Sequence, residues 1–461
     1  MSGRAIPRKL ANFSPAIQGL ASITDIDVQY TQLLPLNAST SSTFSPASNR
    51  IILFKVPAYS SCVLDTARSN IEFVFKNTSP TDGVKKAVLN GSTGSLISRI
   101  VVKSEGVVIQ DSDNCHILRK IHNLMETVEN QPTLGEGCYT ELTRDKTEAE
   151  ILALDAIMTT QQKTGETMTY RFNTGIFATD LQSFLPIGWV GAGAGTAFEV
   201  QLHLTHASEC MKATTSDGFP TTVSYELSNV RWNMCLLKLN ESLSAKFNSM
   251  TLNGSELKLP FTTHTSQSSA LNGKSSTGMV SDSTTDISRV FSVIVPDVKA
   301  DIDPLAFMGS WTEIGTGTSL QEVNYNVGNK KVFNESLLAG EKDQMQFLNQ
   351  IKASVNHKMA LEAIDSRVIT VAGVSHYRPV YERADSLFMV ADFRYSNADG
   401  FLNGINLGSL PLVSKFVARD SAWGAVSLLN FVESNYNLVI AGGRAHFVEV
   451  RNGSSMTSFS Y

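Results

Sequence analysis

The sequence predicts an all-β protein built as two sandwiches in tandem, with a few helices set into its loops. Short strand-like runs recur along most of the chain, with turn residues between them. Charged residues are 18% of the 461 positions, below the roughly 25% of ordinary soluble proteins, while Ser, Thr, Asn and Gly are plentiful. The order of elements in the first half returns in the second.

In the first half, "IILFKVP" (51–57), "NIEFVFKN" (70–77), "SRIVVKS" (98–104), "GVVIQ" (106–110) and "MTYRFNT" (168–174) lead to "TAFEVQLHL" (196–204). The last alternates apolar Phe198, Val200, Leu202 and Leu204 with Glu199, Gln201, His203 and Thr205, the period of a half-buried strand. Strands resume with "VSYEL" (223–227), "NVRWNMCLLKL" (229–239), "ELKLPFTT" (256–263), "SRVFSVIVP" (288–296), "SLFMVADF" (386–393), "NLVIAG" (437–442) and "AHFVEV" (445–450). The Ser/Thr-rich stretch 262–286 shows no apolar period and reads as a solvent-exposed excursion.

Three segments read as helices. In 115–128, Ile117, Leu118, Ile121, Leu124, Met125 and Val128 share one face. Segment 147–158 opens with Thr147 and Glu150 at capping-box spacing and carries Ile151, Leu154 and Met158. Segment 341–364 carries Met345, Leu348, Ile351, Val355 and Met359. Each half thus runs strands, helix, strand, Gly-containing loop and closing strand. The expected organisation is an N-terminal arm (1–24), a first sandwich (25–211), a polar linker (212–222), a second sandwich (223–450) and a tail (451–461).

Motifs that would carry chemistry dissolve on inspection. Gly191, Gly193 and Gly195 have Thr196 where a dinucleotide loop needs its third glycine, and a strand rather than a helix follows. Gly273-Lys274-Ser275 resembles the end of a phosphate-binding loop, but Ser268 replaces the required earlier glycine. His203 and His206, three apart on a strand, point to opposite faces, and Cys115-His116 are adjacent, so neither pair suits one metal ion. Asp111-Ser112-Asp113-Asn114 lacks the glycine and glutamate of a calcium loop and is expected to close a hairpin. Glu129, Glu136 and Glu141 could serve a glycosidase only if paired across a cleft. No G-x-S-x-G elbow is present. No catalytic, cofactor-binding or metal-ligating residue is assigned, and no cofactor is expected.

The net charge of −5 and the absence of a basic stripe give no broad field for nucleic acid; Arg4, Arg8 and Lys9 in the arm form the only positive cluster. No apolar run reaches the roughly 18–20 residues of a membrane span, and the N-terminus does not read as a secretory signal. Five widely spaced cysteines (Cys62, Cys115, Cys138, Cys210, Cys235) read as free thiols of a protein made in a reducing cytoplasm. The eight N-x-S/T sequons, such as those at Asn77, Asn253 and Asn452, are then products of composition.

Several ordered segments carry a resemblance. "YRFNTGIF" followed by "LQSFLPIGWVGAGAGTAFEVQLHL", then "LSNVRWNMCLLKLNESLSAKFNSM" with Leu243, Phe247 and Met250, then "SRVFSVIVP" and "NLVIAGGRAHFVEV", resemble the double jelly-roll major capsid proteins of icosahedral DNA viruses. The polinton-like viruses and virophages are the nearest in look. The resemblance implies two tandem jelly rolls and a homotrimeric, pseudo-hexagonal capsomer that tiles a virion shell. It also implies contacts with neighbouring capsomers, penton and minor capsid proteins, and an arm that can reach an inner membrane or genome layer. It implies no enzyme activity and no small-molecule substrate. Two other classes compete. A two-domain carbohydrate-binding protein or adhesin would gather exposed aromatics at one loop end, yet Trp189, Trp232, Trp311 and Trp423 are scattered. A sandwich-fold carbohydrate-active enzyme would need paired carboxylates on facing strands.

Overall fold

The computed structural model describes residues 26–38, 43–80, 87–89, 93–125, 167–173, 184–190, 195–213, 220, 222–252, 256–280, 287–297, 320–328, 330–332, 337–338, 365–371, 374–380, 388–393, 410–418, 423–441 and 444–449. The helical segments expected at 147–158 and 341–364, the arm 1–24 and Glu129, Glu136 and Glu141 lie outside them.

The first half contributes β1 (Asp27–Leu33), β2 (Ile51–Pro57), β3 (Cys62–Asn77), β4 (Ala87–Leu89), β5 (Ile97–Ser104) and β6 (Val107–Asp113), then helix α1 (Cys115–Met125). It continues through β7 (Thr167–Asn173), β8 (Phe184–Leu185), β9 (Thr196–Leu204), β10 (Met211–Ala213) and β11 (Tyr225–Lys238). One sheet runs β1-β11-β3-β7 with β8 beside β3; the other runs β2-β9-β5-β6. Their inner faces meet in one core, where Phe54 of β2 stands edge-on to Trp232 of β11 at 5.6 Å. Tyr225 stacks on Phe75 and donates its hydroxyl to the Thr205 carbonyl at 2.7 Å.

Helix α2 (Glu241–Leu252) leads out of this unit; Asn240 Oδ1 caps it by accepting from the Leu243 amide at 2.9 Å. Then come β12 (Leu257–Gly273), β13 (Ser275–Val280), β14 (Ile287–Pro296), β15 (Leu320–Val327), β16 (Lys330–Lys331) and β17 (Leu337–Leu338). The chain ends with β18 (Asp365–Val371), β19 (Val374–Val380), β20 (Phe388–Asp392), β21 (Leu412–Ala418), β22 (Trp423–Ala441) and β23 (Arg444–Glu449). One sheet runs β12-β22-β14-β20 with β23 beside β22; the other runs β13-β21-β15-β16 with β17 beside β15. The two pairs of sheets match strand for strand: β1-β11-β3-β7 with β12-β22-β14-β20, and β2-β9-β5-β6 with β13-β21-β15-β16. Each is the two-sheet order of a jelly roll. The chain is a double jelly roll.

Several expectations change. Residues 225–238, read as the opening of the second sandwich, complete the first: β11 pairs in register with both β1 and β3. The linker expected at 212–222 therefore lies within the first roll, and the passage between rolls is α2. Of the stretch 262–286, the described residues 262–280 are not an excursion. Residues 262–273 belong to β12, which pairs with β22 along its length, and 275–280 form β13, which pairs with β21. Asp111, Ser112 and Asp113 do not close a hairpin; they are the end of β6, and Glu105-Gly106, both at positive φ, close the turn between β5 and β6. The glycine question resolves toward a turn: Gly195 sits at φ +69 and β9 begins at the next residue, with the expected alternation of buried and half-buried positions.

Candidate interaction surface

Each roll carries a row of charges across the outer face of its first-named sheet. In the first roll, Arg231 of β11, Glu72 of β3 and Arg171 of β7 are direct cross-strand partners. Strand alternation puts Ile71 and Phe73 into the core and Glu72 onto the opposite face. Arg231 Nε donates to Glu72 Oε1 at 2.9 Å and its second nitrogen reaches the same oxygen, while Arg171 Nε donates to Oε2 at 2.9 Å. Asn233 Nδ2 bridges to Asn70 Oδ1 at 3.1 Å. The Arg231 hydrogen bond outweighs burial and, with Arg171, lowers the Glu72 pKa.

In the second roll the signs invert. Glu433 of β22 faces His264 of β12 on one side and Arg289 of β14 on the other, and Arg289 in turn pairs in register with Asp392 of β20. Arg289 grips Glu433 with both prongs, Nε to Oε1 at 2.7 Å and a terminal nitrogen to Oε2 at 2.6 Å. Ser288 Oγ and His264 Nε2 complete the carboxylate's shell at 2.5 and 3.1 Å. Burial opposes ionisation of Glu433, but Arg289 and His264 overcome it and hold the carboxyl well below the usual carboxylate range.

The rows differ in cover. Helix α1 lies over the second roll's face: the His122 ring is 5.5 Å from His264 and 5.8 Å from Phe291, and the Arg289 guanidinium stacks 5.3 Å from the same Phe291. Arg289 and His264 side chains are each 12% exposed. Arg171 and Arg231 are 62% and 41% exposed and look into an open groove of about 500 Å³ lined with Tyr30, Thr31 and Gln32 of β1.

Strand β6 of the first roll also meets edge strand β12 of the second. Ser112 Oγ lies 3.4 Å from Thr263 Oγ1, and Asn114 Nδ2 donates to Ser266 Oγ at 2.9 Å. Arg444 beside β22 forms an ion pair with Glu105 at 3.3 Å. The cores interlock: Leu118 and Ile121 of α1 join the second roll's core, while Leu257, Phe261, Leu438 and Ile440 join the first. A junction sharing core residues both ways makes the two rolls one block.

Residues singled out in the sequence are spread apart. His203 sits on β9 with its pKa lowered by burial and then by Arg99 and Arg50, whereas His206 begins the next turn and accepts from the Ser208 amide. Among the described residues no group of three or more His, Cys, Asp or Glu side chains is arranged to hold a metal ion. Cys62, Cys115, Cys210 and Cys235 are free thiols, and burial pushes Cys115 up to about 12. Trp189, Trp232 and Trp423 are core residues, so they offer no sugar-stacking platform. Asn77 is buried and donates to the Ala87 carbonyl, which leaves no room for a glycan there. Sequence reading missed Glu72, Arg171, Arg231, His264, Arg289 and Glu433. The single local signal was a charge set between apolar neighbours, as in Ile71-Glu72-Phe73.

No family model and no curated protein matches the sequence. Solved structures do match it over nearly its whole length. A chain of the PBCV-1 virus capsid is 11% identical with a TM-score of 0.56, covering 93% of this chain and 97% of that one. A chain of the Sputnik virophage structure is 10% identical with a TM-score of 0.56, covering 93% and 89%. The mavirus major capsid protein is 11% identical with a TM-score of 0.51, covering 92% and 90%. The chain has the double jelly-roll fold of these viral capsid proteins, shared in architecture rather than in sequence.

Proposed function

We propose that the chain is a major capsid protein, three copies of which form a pseudo-hexagonal capsomer that tiles an icosahedral shell. The observation that carries this reading is the pair of matching rolls locked by a shared core. A rigid two-lobed subunit supplies six similar lobes when three associate, and six lobes tile a lattice. The fold-level match to capsid chains over more than nine-tenths of the molecule supports it. The role is structural, without catalysis, and its site of action is the virion. Neighbouring capsomers, penton and minor capsid proteins are the partners this role requires. The arm, with Arg4, Arg8 and Lys9, suits an anionic inner layer.

Light scattering tests it. Three copies of the 50.1 kDa chain form a particle of about 150 kDa, with hexagonal outlines in negative stain. Monomer alone at micromolar concentration would count against the reading. Removing residues 1–24 should leave trimers intact and impair shell assembly.

A further inference from the structure

Helix α1 carries Leu118 and Ile121 from the first roll into the core of the second, with Ile117 packed beside them. Its backbone bonds close within the helix, so side chains alone hold it in that seat. Asn114 joins it to β6 as a single residue, at a φ of +52 in the left-handed region. Asn114 is itself pinned to Ser266 of β12 at 2.9 Å, which makes it a fixed pivot.

The seated face of α1 includes His122, whose ring meets His264 and Phe291. The charged and titratable groups around it are His264 on β12, Arg289 on β14, Glu433 on β22 and Arg119 on α1 itself. Strand β5 and the turn Thr93–Leu96, which also touch α1, bring Arg99 and Lys103 and no carboxylate. Glu433 is the carboxylate of the set, and both its oxygens are engaged. Oε1 accepts from Ser288 and Arg289, and Oε2 accepts from His264 and Arg289. A proton on His122 would add a cation beside Arg119 and Arg289, with the carboxylate already shared out.

We propose that α1 is an acid-released latch: neutral His122 lets it seat across the second roll, and a proton on His122 drives it off. Release uncovers Arg289, Glu433 and His264 to water, while Leu257, Phe261, Leu438 and Ile440 still tie the second roll to the first core. Acid thus loosens one lock of the two-roll block and leaves the other closed. The direction follows from burial, which lowers the His122 pKa in the seated form. Once α1 lifts, the imidazole returns to about 6.5, so the open form binds a proton that the seated form refuses. The seat is complete above that value and weakens below it. The open fraction should rise about 30-fold between pH 7.5 and 5.0. The latch lies within one chain and stands or falls separately from the trimer reading.

Hydrogen–deuterium exchange of the full-length chain, corrected for the intrinsic pH dependence of amide exchange, tests the latch. Protection of amides 118–125 should fall about 30-fold from pH 7.5 to 5.0 and recover on return to pH 7.5. Strand β9, inside a sheet of the first roll, should keep its protection. His122→Phe and His122→Gln, neither of which takes up a proton, should lose the pH dependence at α1. Protection of α1 that is unchanged by pH in the wild type would overturn the inference. So would loss at α1 and β9 together, which is unfolding of the whole roll, or a pH dependence that survives in both variants.

Discussion

Two rows of charge, one on each roll, cross matching sheets with opposite signs. Arginine, glutamate, arginine occupy β11, β3 and β7; glutamate, arginine, aspartate occupy β22, β14 and β20. The alternation is what antiparallel neighbours demand, because like charges directly opposite repel. The sign is free to differ between rolls, since within each row every charge lies beside one of opposite sign. Cover is the difference with consequences. In the second row Glu433, Arg289 and His264 are sealed under α1, so their charges depend on protein partners, whereas the arginines of the first row can turn to water.

The largest expected effect follows. Glu433→Gln leaves Arg289, 12% exposed, with its bidentate acceptor gone, and should destabilise by about 3–5 kcal/mol in urea titration, as breaking a buried pair does. Glu72→Gln releases arginines that are 62% and 41% exposed and should cost about 1–2 kcal/mol. Equal losses from the two would break the distinction between a sealed row and an open one.

The same contrast explains what could be read from the sequence. Strand β9 was legible to the residue because large apolar side chains alternate there with polar ones, and strand β2 because it is a short, nearly continuous apolar run. The 262–280 region was not, because three of its five buried positions are small or polar, Thr263, Ser276 and Gly278, which leaves Leu271 and Val280 too far apart to show a period. Close packing imposes this. A Cβ on Gly278 would lie 2.6 Å from Leu428 and 2.9 Å from the Ser414 hydroxyl, so bulk is excluded where a hydropathy pattern would look for it. The membership of β11 in the first roll and the Arg231–Glu72 pair were invisible for a different reason: their partners lie more than 150 residues away, and nothing local specifies them. The fold class needed only repeated local patterns; the interaction face needed the long-range pairing.

A middle-sized effect should appear with pH and report on the sealed row alone. Burial lowers the His122 pKa well below its ordinary 6.5, with His264, Arg119 and Arg289 adding to the shift and Glu433 opposing it. The unfolded chain then binds the proton more readily than the folded one below that value, so stability rises with pH there. The contribution of neutral His122 is complete above its unfolded pKa and is lost as pH falls toward its folded value. Between pH 7 and 5.5 the wild type should lose about 1 kcal/mol that a His122→Phe variant does not lose. The Glu433 contribution is complete above the usual carboxylate range and falls away in a separate, more acidic window. Parallel pH profiles for wild type and His122→Phe would place the sensitivity elsewhere.

The smallest effect sharpens the comparison most, because it holds geometry constant. On the other sheet of the first roll, Arg99 grips Asp111 with Nε at 2.7 Å and a terminal nitrogen at 2.6 Å, the same two distances that join Arg289 to Glu433. The Arg99 and Asp111 side chains are 42% and 39% exposed, so water and salt compete for both ends of the pair. Arg99→Ala should therefore cost under about 1 kcal/mol, and less still in high salt. The difference between this loss and that of Glu433→Gln measures what burial, with the Ser288 and His264 contacts it encloses, adds to the same arginine–carboxylate geometry. A loss at Arg99 as large as that at Glu433, and insensitive to salt, would show that geometry rather than cover sets the worth of these pairs.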